Sequence, residues 1–146
     1  MTTFKFEELF EFKSKEARDL FVDGYIMAFS IGRYDDESRE SMLEKFKTSL
    51  RKMRRAHEIE PANPHIMMQL VWQYEYGYSE PEMMIRVIDD AIKLYSRAKI
   101  MNDYTYSDHE VDLLIWAKND YMKELFNLSP RRKYGFLCDE SDRWYE

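Results

Sequence analysis

A chain of 146 residues is one domain by size, long enough to bury a core of its own. Its content of 45% hydrophobic and 34% charged residues excludes a disordered segment, and no run of apolar residues is long enough to cross a membrane. A net charge of −6 argues against a general affinity for nucleic acid. The single Cys138 precludes an intramolecular disulfide and fits a reducing, cytoplasmic setting. The N-terminal residues mix charges among their apolar groups, unlike a signal peptide. With only four Gly and four Pro, long helices are expected rather than many short strands. The expected fold is all-α, a compact bundle of about five helices arranged as antiparallel hairpins over residues 1–130. Residues 131–146 are read as a C-terminal tail docked on the same domain.

Phe4, Phe6, Phe10 and Phe12 fit the alternation of a strand, while Phe6, Leu9, Phe10, Ala17, Leu20 and Phe21 fit helical spacing. Helix is the reading adopted, with a break at Ser14 acting as an N-cap. From Lys15 onward, Ala17, Leu20, Phe21, Gly24, Ala28 and Ile31 share a face, and Gly32 with Tyr34-Asp35-Asp36 closes the element. A second helix is expected from Ser38 to Glu58. Its stripe of Met42, Leu43, Phe46, Leu50, Met53 and His57 falls within an arc of about 100°, so His57 is read as a partly buried core histidine.

Glu60-Pro61-Ala62-Asn63-Pro64 stops that helix, because a residue before proline is pushed out of the α region. Asn63 before Pro64 then starts a third helix running to Tyr76, with Gly77 at its end. Ser79-Glu80-Pro81-Glu82 reads as the cap of a fourth, Ser79 being the N-cap. Met84, Val87, Ile88, Ala91, Leu94, Tyr95 and Ala98 form its buried face. After a loop at 102–106, the capping box of Ser107 and Glu110 opens a fifth helix carrying Val111, Leu114, Ile115, Met122 and Leu125. Ser129-Pro130 stops it. Within the tail, Lys133–Cys138 has the composition of a short strand.

One fragment resembles a repeat family. Ile59–Pro64 is similar to the linker between tetratricopeptide repeats, and Ala91-Ile92-Lys93-Leu94 resembles the end of such a repeat's second helix. The resemblance covers about a third of the chain and implies stacked helix hairpins. The family's Trp-x-x-Leu-Gly core is missing, since Met67, Met68, Val71 and Trp72 stand in its place. Gly32 and Gly77 are 45 residues apart, whereas the repeat is about 34 long.

Charge is segregated. Residues 45–55 hold six basic side chains and no acid, which leaves −12 on the other 135 residues once those six are taken from the total of −6. On a helix they fill the whole polar face opposite the apolar stripe. Lys47, Arg51 and Arg55 form a ridge of like charges at i,i+4, a spacing that costs a few tenths of a kcal/mol per pair. Three surroundings fit this face: solvent and the protein's own acidic remainder, an acidic protein partner, or a phosphate backbone.

Catalytic and metal-binding patterns are missing. His57, His65 and His109 are the only imidazoles, and no His-x-x-x-His or Glu-x-x-His spacing joins them. His65 has no evident companion. Asp108–Asp112 is crowded with potential ligands, but neighbours on a helix do not converge. Cys138 stands beside Asp139 and Glu140, whose charges disfavour the thiolate. No Gly-x-Ser-x-Gly and no phosphate-binding glycine loop occurs. No cofactor, metal or catalytic residue is therefore expected.

The aromatics point to binding. Trp72, Tyr74, Tyr76 and Tyr78 alternate through the end of the third helix, so one face cannot bury them all. Tyr104 and Tyr106 stand in a polar loop. Tyr and Trp supply large contact area at low entropic cost. The expected function is non-enzymatic: a protein-binding module, adaptor or inhibitor, of the kind a virus or mobile element directs at a host factor. Its candidate contacts are Trp72, Tyr76, Tyr78, Tyr104 and Tyr106, with Lys47, Arg51, Arg54 and Arg55 as charged flanks setting orientation. Two other classes stand beside it. One is a nucleic-acid-associated protein using residues 45–55; the other is an acidic mimic that blocks a nucleic-acid-binding enzyme.

Overall fold

The computed structural model describes residues 11–32, 36–77 and 80–130, without the Tyr76 side chain. Among these residues there are five α-helices and no strand: α1 Lys15–Phe29, α2 Arg39–Ile59, α3 Pro64–Gly77, α4 Pro81–Met101 and α5 Asp108–Leu125. The expectations for residues 1–10, for the tail 131–146 with its Lys133–Cys138 strand, and for Tyr78 lie outside the described residues.

Local chemistry sets the ends of these helices. Ser14 is extended and its hydroxyl accepts from the Ala17 N–H at 3.2 Å. Ser38 does the same for Ser41 at 3.1 Å. Asn63 Oδ1 accepts from the His65 N–H at 2.9 Å, with Pro64 at the first helical position. At α5, the Ser107 N–H donates to Glu110 Oε2 at 2.8 Å, the return arm of a capping box. The cap of α4 differs from expectation. Its N-cap is Glu80, which makes no side-chain capping bond, because Pro81 with its preset φ occupies the first helical position and the cap is the residue just before it. Asn102 closes α4 in the left-handed conformation at φ 52°.

Three chain segments meet at one end of the molecule. Glu60, in the α2–α3 link, accepts at Oε1 from the backbone N–H groups of Lys13 (2.8 Å) and Ser14 (2.6 Å). Its Oε2 accepts from Asn63 Nδ2 at 2.6 Å and from the Tyr104 hydroxyl at 3.0 Å. Asn63 also donates to the Glu11 carbonyl at 2.8 Å, and the Thr105 N–H to Glu11 Oε2 at 2.8 Å. So α1, α3 and α5 start at this end while α2 and α4 finish there. Successive helices therefore run antiparallel, each packed on its sequence neighbours. Burying Glu60 to 6% exposure is tolerated because both carboxylate oxygens are fully used.

α3 is the middle helix. Ile66, Met67, Leu70, Val71 and Tyr74 are buried around much of its circumference, as suits a helix covered by α2 and α4. Phe21 of α1, Phe46, Leu50 and Met53 of α2, Met84, Val87, Ile88 and Tyr95 of α4, and Leu114 and Tyr121 of α5 complete one continuous core. Side chains of this size contribute roughly 1.5–3 kcal/mol each on burial.

Gly77 ends α3 directly against the Phe46 ring, where an added Cβ would stand 2.8 Å from Phe46 Cε1. Phe46 is fully buried, so the ring must shift within the core to admit a methyl group. Gly77→Ala is expected to lower stability by about 1–3 kcal/mol, despite alanine's better helix propensity. A urea unfolding curve with a lower midpoint and unchanged slope is the expected readout.

Candidate functional site

The opposite end of α1 and the middle of α3 frame an apolar cleft. On α1, Phe21, Tyr25 and Phe29 repeat every fourth residue and form a ladder of rings. Phe21 and Tyr25 have centroids 6.2 Å apart, and Tyr25 and Phe29 stack at 6.3 Å with an interplanar angle of 8°. Phe12 leads into this ladder, 5.2 Å from Phe21. The ladder starts in the core at Phe21 and ends at Phe29, which is 61% exposed.

Gly24 lets α1 close on α2. A Cβ there would lie 3.1 Å from both the Ser49 carbonyl oxygen and Met53 Cγ. The approach brings the Ser49 hydroxyl to the Gly24 carbonyl, to which it donates at 2.7 Å. Gln73 of α3 donates from Nε2 to the same hydroxyl oxygen at 3.3 Å. One buried polar chain thus ties α1, α2 and α3 together. Beside it lies a cleft of about 290 Å³ lined by Tyr25, Ala28, Phe29, Ile31, Met53, Gln69, Trp72 and Gln73.

Trp72, a candidate anchor from the sequence, belongs to this cleft and packs partly against the core. Tyr25, Phe29, Met53, Gln69 and Gln73 were not foreseen. The visible signal was the i,i+4 spacing of Phe21, Tyr25 and Phe29, which starts on the expected core face of α1 at Phe21 and leaves it at Tyr25 and Phe29.

Tyr104 is placed differently from expectation. It is a buried residue, 6% exposed, whose hydroxyl is held by Glu60 and whose ring carries Lys13 Nζ at 4.8 Å from its centroid. Burial, then the neighbouring Glu60 carboxylate, push its ionisation well above the usual tyrosine range. It closes the polar end of the bundle and presents no surface to a partner. Tyr106 is half-buried, its ring 4.9 Å from that of Tyr95 in an edge-on contact.

Four of the six basic side chains of residues 45–55 have an acidic neighbour within the chain. Lys45 pairs with Glu37 at 2.5 Å and Lys52 with Asp23 of α1 at 3.8 Å. Arg51 lies 3.8 Å from Glu44, and Arg55 3.0 Å from Glu58. Lys47 and Arg54 have interactions of their own within the chain. Exposed pairs of this kind add up to about 1 kcal/mol each. At 100° per residue, Arg51 and Arg55 each point about 160° away from Met53, which floors the cleft. The ridge and the cleft occupy opposite sides of α2, so the ridge cannot flank a ligand seated in the cleft.

His65 has companions that its sequence position concealed. It is buried; Nε2 lies 2.9 Å from the Thr105 carbonyl oxygen and Nδ1 3.4 Å from Glu110 Oε1. The Tyr95 hydroxyl reaches Glu110 Oε1 at 3.4 Å and Met68 Sδ at 3.1 Å. Burial alone would raise the Glu110 carboxyl, but the contact with His65 and the hydrogen bonds from the Ser107 N–H and Tyr95 overcome it and hold it below the ordinary value. This cluster joins the start of α3 to the start of α5. His57 is half-buried as expected, and burial lowers its ionisation.

Among the described residues no three His, Cys, Asp or Glu side chains converge to hold a metal ion, and no helix is long and apolar enough to cross a membrane. No protein-family model matches this chain, and no curated protein or solved structure matches it either. The likeness to the tetratricopeptide linker therefore extends no further than the residues that carry it.

The Glu110 contacts have a pH signature. A carboxyl held below its ordinary value of 4.5 contributes stability that is complete above that pH and is lost as pH falls through the lowered folded value. Urea midpoints measured from pH 7 to pH 3 should therefore converge for wild type and Glu110→Gln. The variant is weaker at pH 7 and loses less on acidification; parallel curves would remove Glu110 from the acid response.

Proposed function

We propose that this protein is a non-enzymatic, cytoplasmic protein-binding module, an adaptor or inhibitor that takes apolar side chains of another protein into the cleft between α1 and α3. The observation that supports this reading is the cleft itself: aromatic and thioether walls, open to the surface, beside Phe29 and Ile26 at 61% and 56% exposure. Its volume of about 290 Å³ is at the small end of pockets that enclose a drug-sized ligand, roughly 300–1,000 Å³. A seat of that size suits one or two anchoring side chains of a partner, the arrangement that concentrates binding energy at protein interfaces. The acidic neighbours of residues 45–55 weigh against the nucleic-acid reading, since Glu37, Glu44, Asp23 and Glu58 would repel an approaching phosphate backbone.

Phe29→Asp places a charge at the mouth of the cleft without disturbing the core. It is expected to weaken a partner recovered by wild type at least tenfold, as is Trp72→Ala. Arg51→Glu with Arg55→Glu should leave that affinity within twofold. Circular dichroism and urea midpoints establish that each variant is folded before calorimetric titration. Full affinity in both cleft variants, with loss in the ridge variant, would replace this reading by one centred on the basic helix.

A further inference from the structure

We infer that the cleft recognises a peptide backbone as well as a side chain: its ligand is a large uncharged apolar residue whose flanking amides pair with Gln69 and Gln73. This rests on the protein-binding reading and narrows it to a partner chemistry.

The argument starts from the Ser49 hydroxyl. A hydroxyl has one proton, and that of Ser49 goes to the Gly24 carbonyl, a group that can only accept. Whatever else approaches Ser49 Oγ must donate to it. Gln73 therefore faces it with Nε2, and the amide orientation follows from the network. Gln73 is nine-tenths buried and lines the cleft. With one Nε2 proton committed inward, Gln73 has its carbonyl oxygen and its second Nε2 proton left to offer.

Gln69 lies one turn earlier on the same face of α3 and also lines the cleft. Among the described residues its amide has no hydrogen-bond partner. The cleft therefore holds an acceptor fixed by three helices and, one turn away, a complete amide. A ligand that filled the cleft with hydrocarbon alone would strip water from both and leave them unpaired, which opposes binding. A peptide segment supplies what they lack, because each residue brings an N–H donor and a carbonyl acceptor beside its side chain.

Charge complementarity fixes the side chain. In a protein with 34% charged residues, none of the cleft-lining side chains among the described residues carries a charge at neutral pH. An ammonium or carboxylate entering here would be desolvated without a counter-charge. Tyr25, Phe29, Met53 and Trp72 instead offer rings and a thioether to an aliphatic or aromatic group.

The probes are N-acetyl-leucinamide, a leucine between two amides, and N-acetyl-lysinamide, which has the same amides with a charged side chain. In ¹H–¹⁵N spectra of the full chain, N-acetyl-leucinamide should saturably shift the Gln69 and Gln73 side-chain amides and the Trp72 indole. N-acetyl-lysinamide should bind at least tenfold more weakly. Gln69→Leu, which keeps the apolar surface and removes the amide, should weaken N-acetyl-leucinamide at least fivefold; Gln69→Glu, which removes the donors, should do the same. Absence of saturable shifts at these groups would overturn the inference, as would equal binding of the two probes or full affinity in both Gln69 variants. The same resonances moving with protein concentration alone would assign the cleft to a second copy of this chain and overturn it too. If Phe29→Asp abolishes partner binding while the Gln69 variants retain it, the protein-binding reading stands and only the backbone pairing falls.

Discussion

The close approach of α1 to α2 at Gly24 and Ser49 is the contact on which the rest of this architecture depends. Two helices come near enough for the Ser49 hydroxyl to reach a main-chain carbonyl only because position 24 has no side chain. That contact orients the Ser49 oxygen, which orients Gln73, which locks α3 against the first pair. At this seam the three helices are held by a polar chain set among apolar side chains. Such a chain tolerates few alternative packings, since any slip leaves a buried donor or acceptor unpaired. The cleft is the space left on one side of the seam, where the ring ladder of α1 runs outward past α3.

The two ends of the bundle differ in what they leave exposed. At the Glu60 end, three separate segments converge on carboxylates: residues 11–14 and 60–65 on Glu60, and residues 103–107 on Glu60, Glu11 and Glu110. Lys13 and Arg97 both reach Asp103 there, at 3.5 and 2.9 Å. Charge-assisted hydrogen bonds fasten loops that the hydrophobic core alone would leave free. At the other end of α1 a carboxylate also fastens the backbone, Glu37 accepting from the Gly32 N–H at 2.8 Å and pairing with Lys45, but an apolar surface lies beside it. Phe29 and Ile26 remain in water, and the cleft is lined by rings, a thioether and two amides. A tightly fastened end and an apolar open end are what a rigid scaffold for a binding surface requires, because a preorganised seat avoids the ordering cost of forming on contact.

Much of the fold was legible in the chain because the signals were local. The caps at Ser14, Asn63 and Ser107 depend on a side chain reaching an N–H two or three residues away, and the apolar stripe of α2 depends only on helical periodicity. The misplaced cap at α4 shows the limit of that logic. Ser79 satisfied a cap pattern, but Pro81 set the first helical position and moved the cap to Glu80. The functional surface was far less legible. Tyr104 looked like an exposed anchor in a polar loop, and Glu60, 44 residues away in sequence, buries it. His65 looked solitary until residues 105 and 110 folded over it. The basic ridge looked like a surface seeking an anion, yet Glu37 and Asp23 from outside the helix answer two of its charges, and Glu44 and Glu58 within it stand beside Arg51 and Arg55.

The sequence by itself determined the class of this protein: five helices, their approximate bounds, the apolar faces of α1 to α4, and the segregation of basic charge onto α2; on α5 the expected face fails, since Ile115 is exposed and Tyr121 and Glu124 are buried with Leu114. Those properties follow from interactions within a few turns of one helix. Only the tertiary structure decided which aromatics face outward, which charges remain available, and that α1 and α3 enclose a cleft floored by Met53. The physical reason is that exposure and pairing are relations between helices. The Cβ missing at Gly24 matters because of Ser49 and Met53, and the amide of Gln73 faces as it does because of where a distant hydroxyl sends its proton.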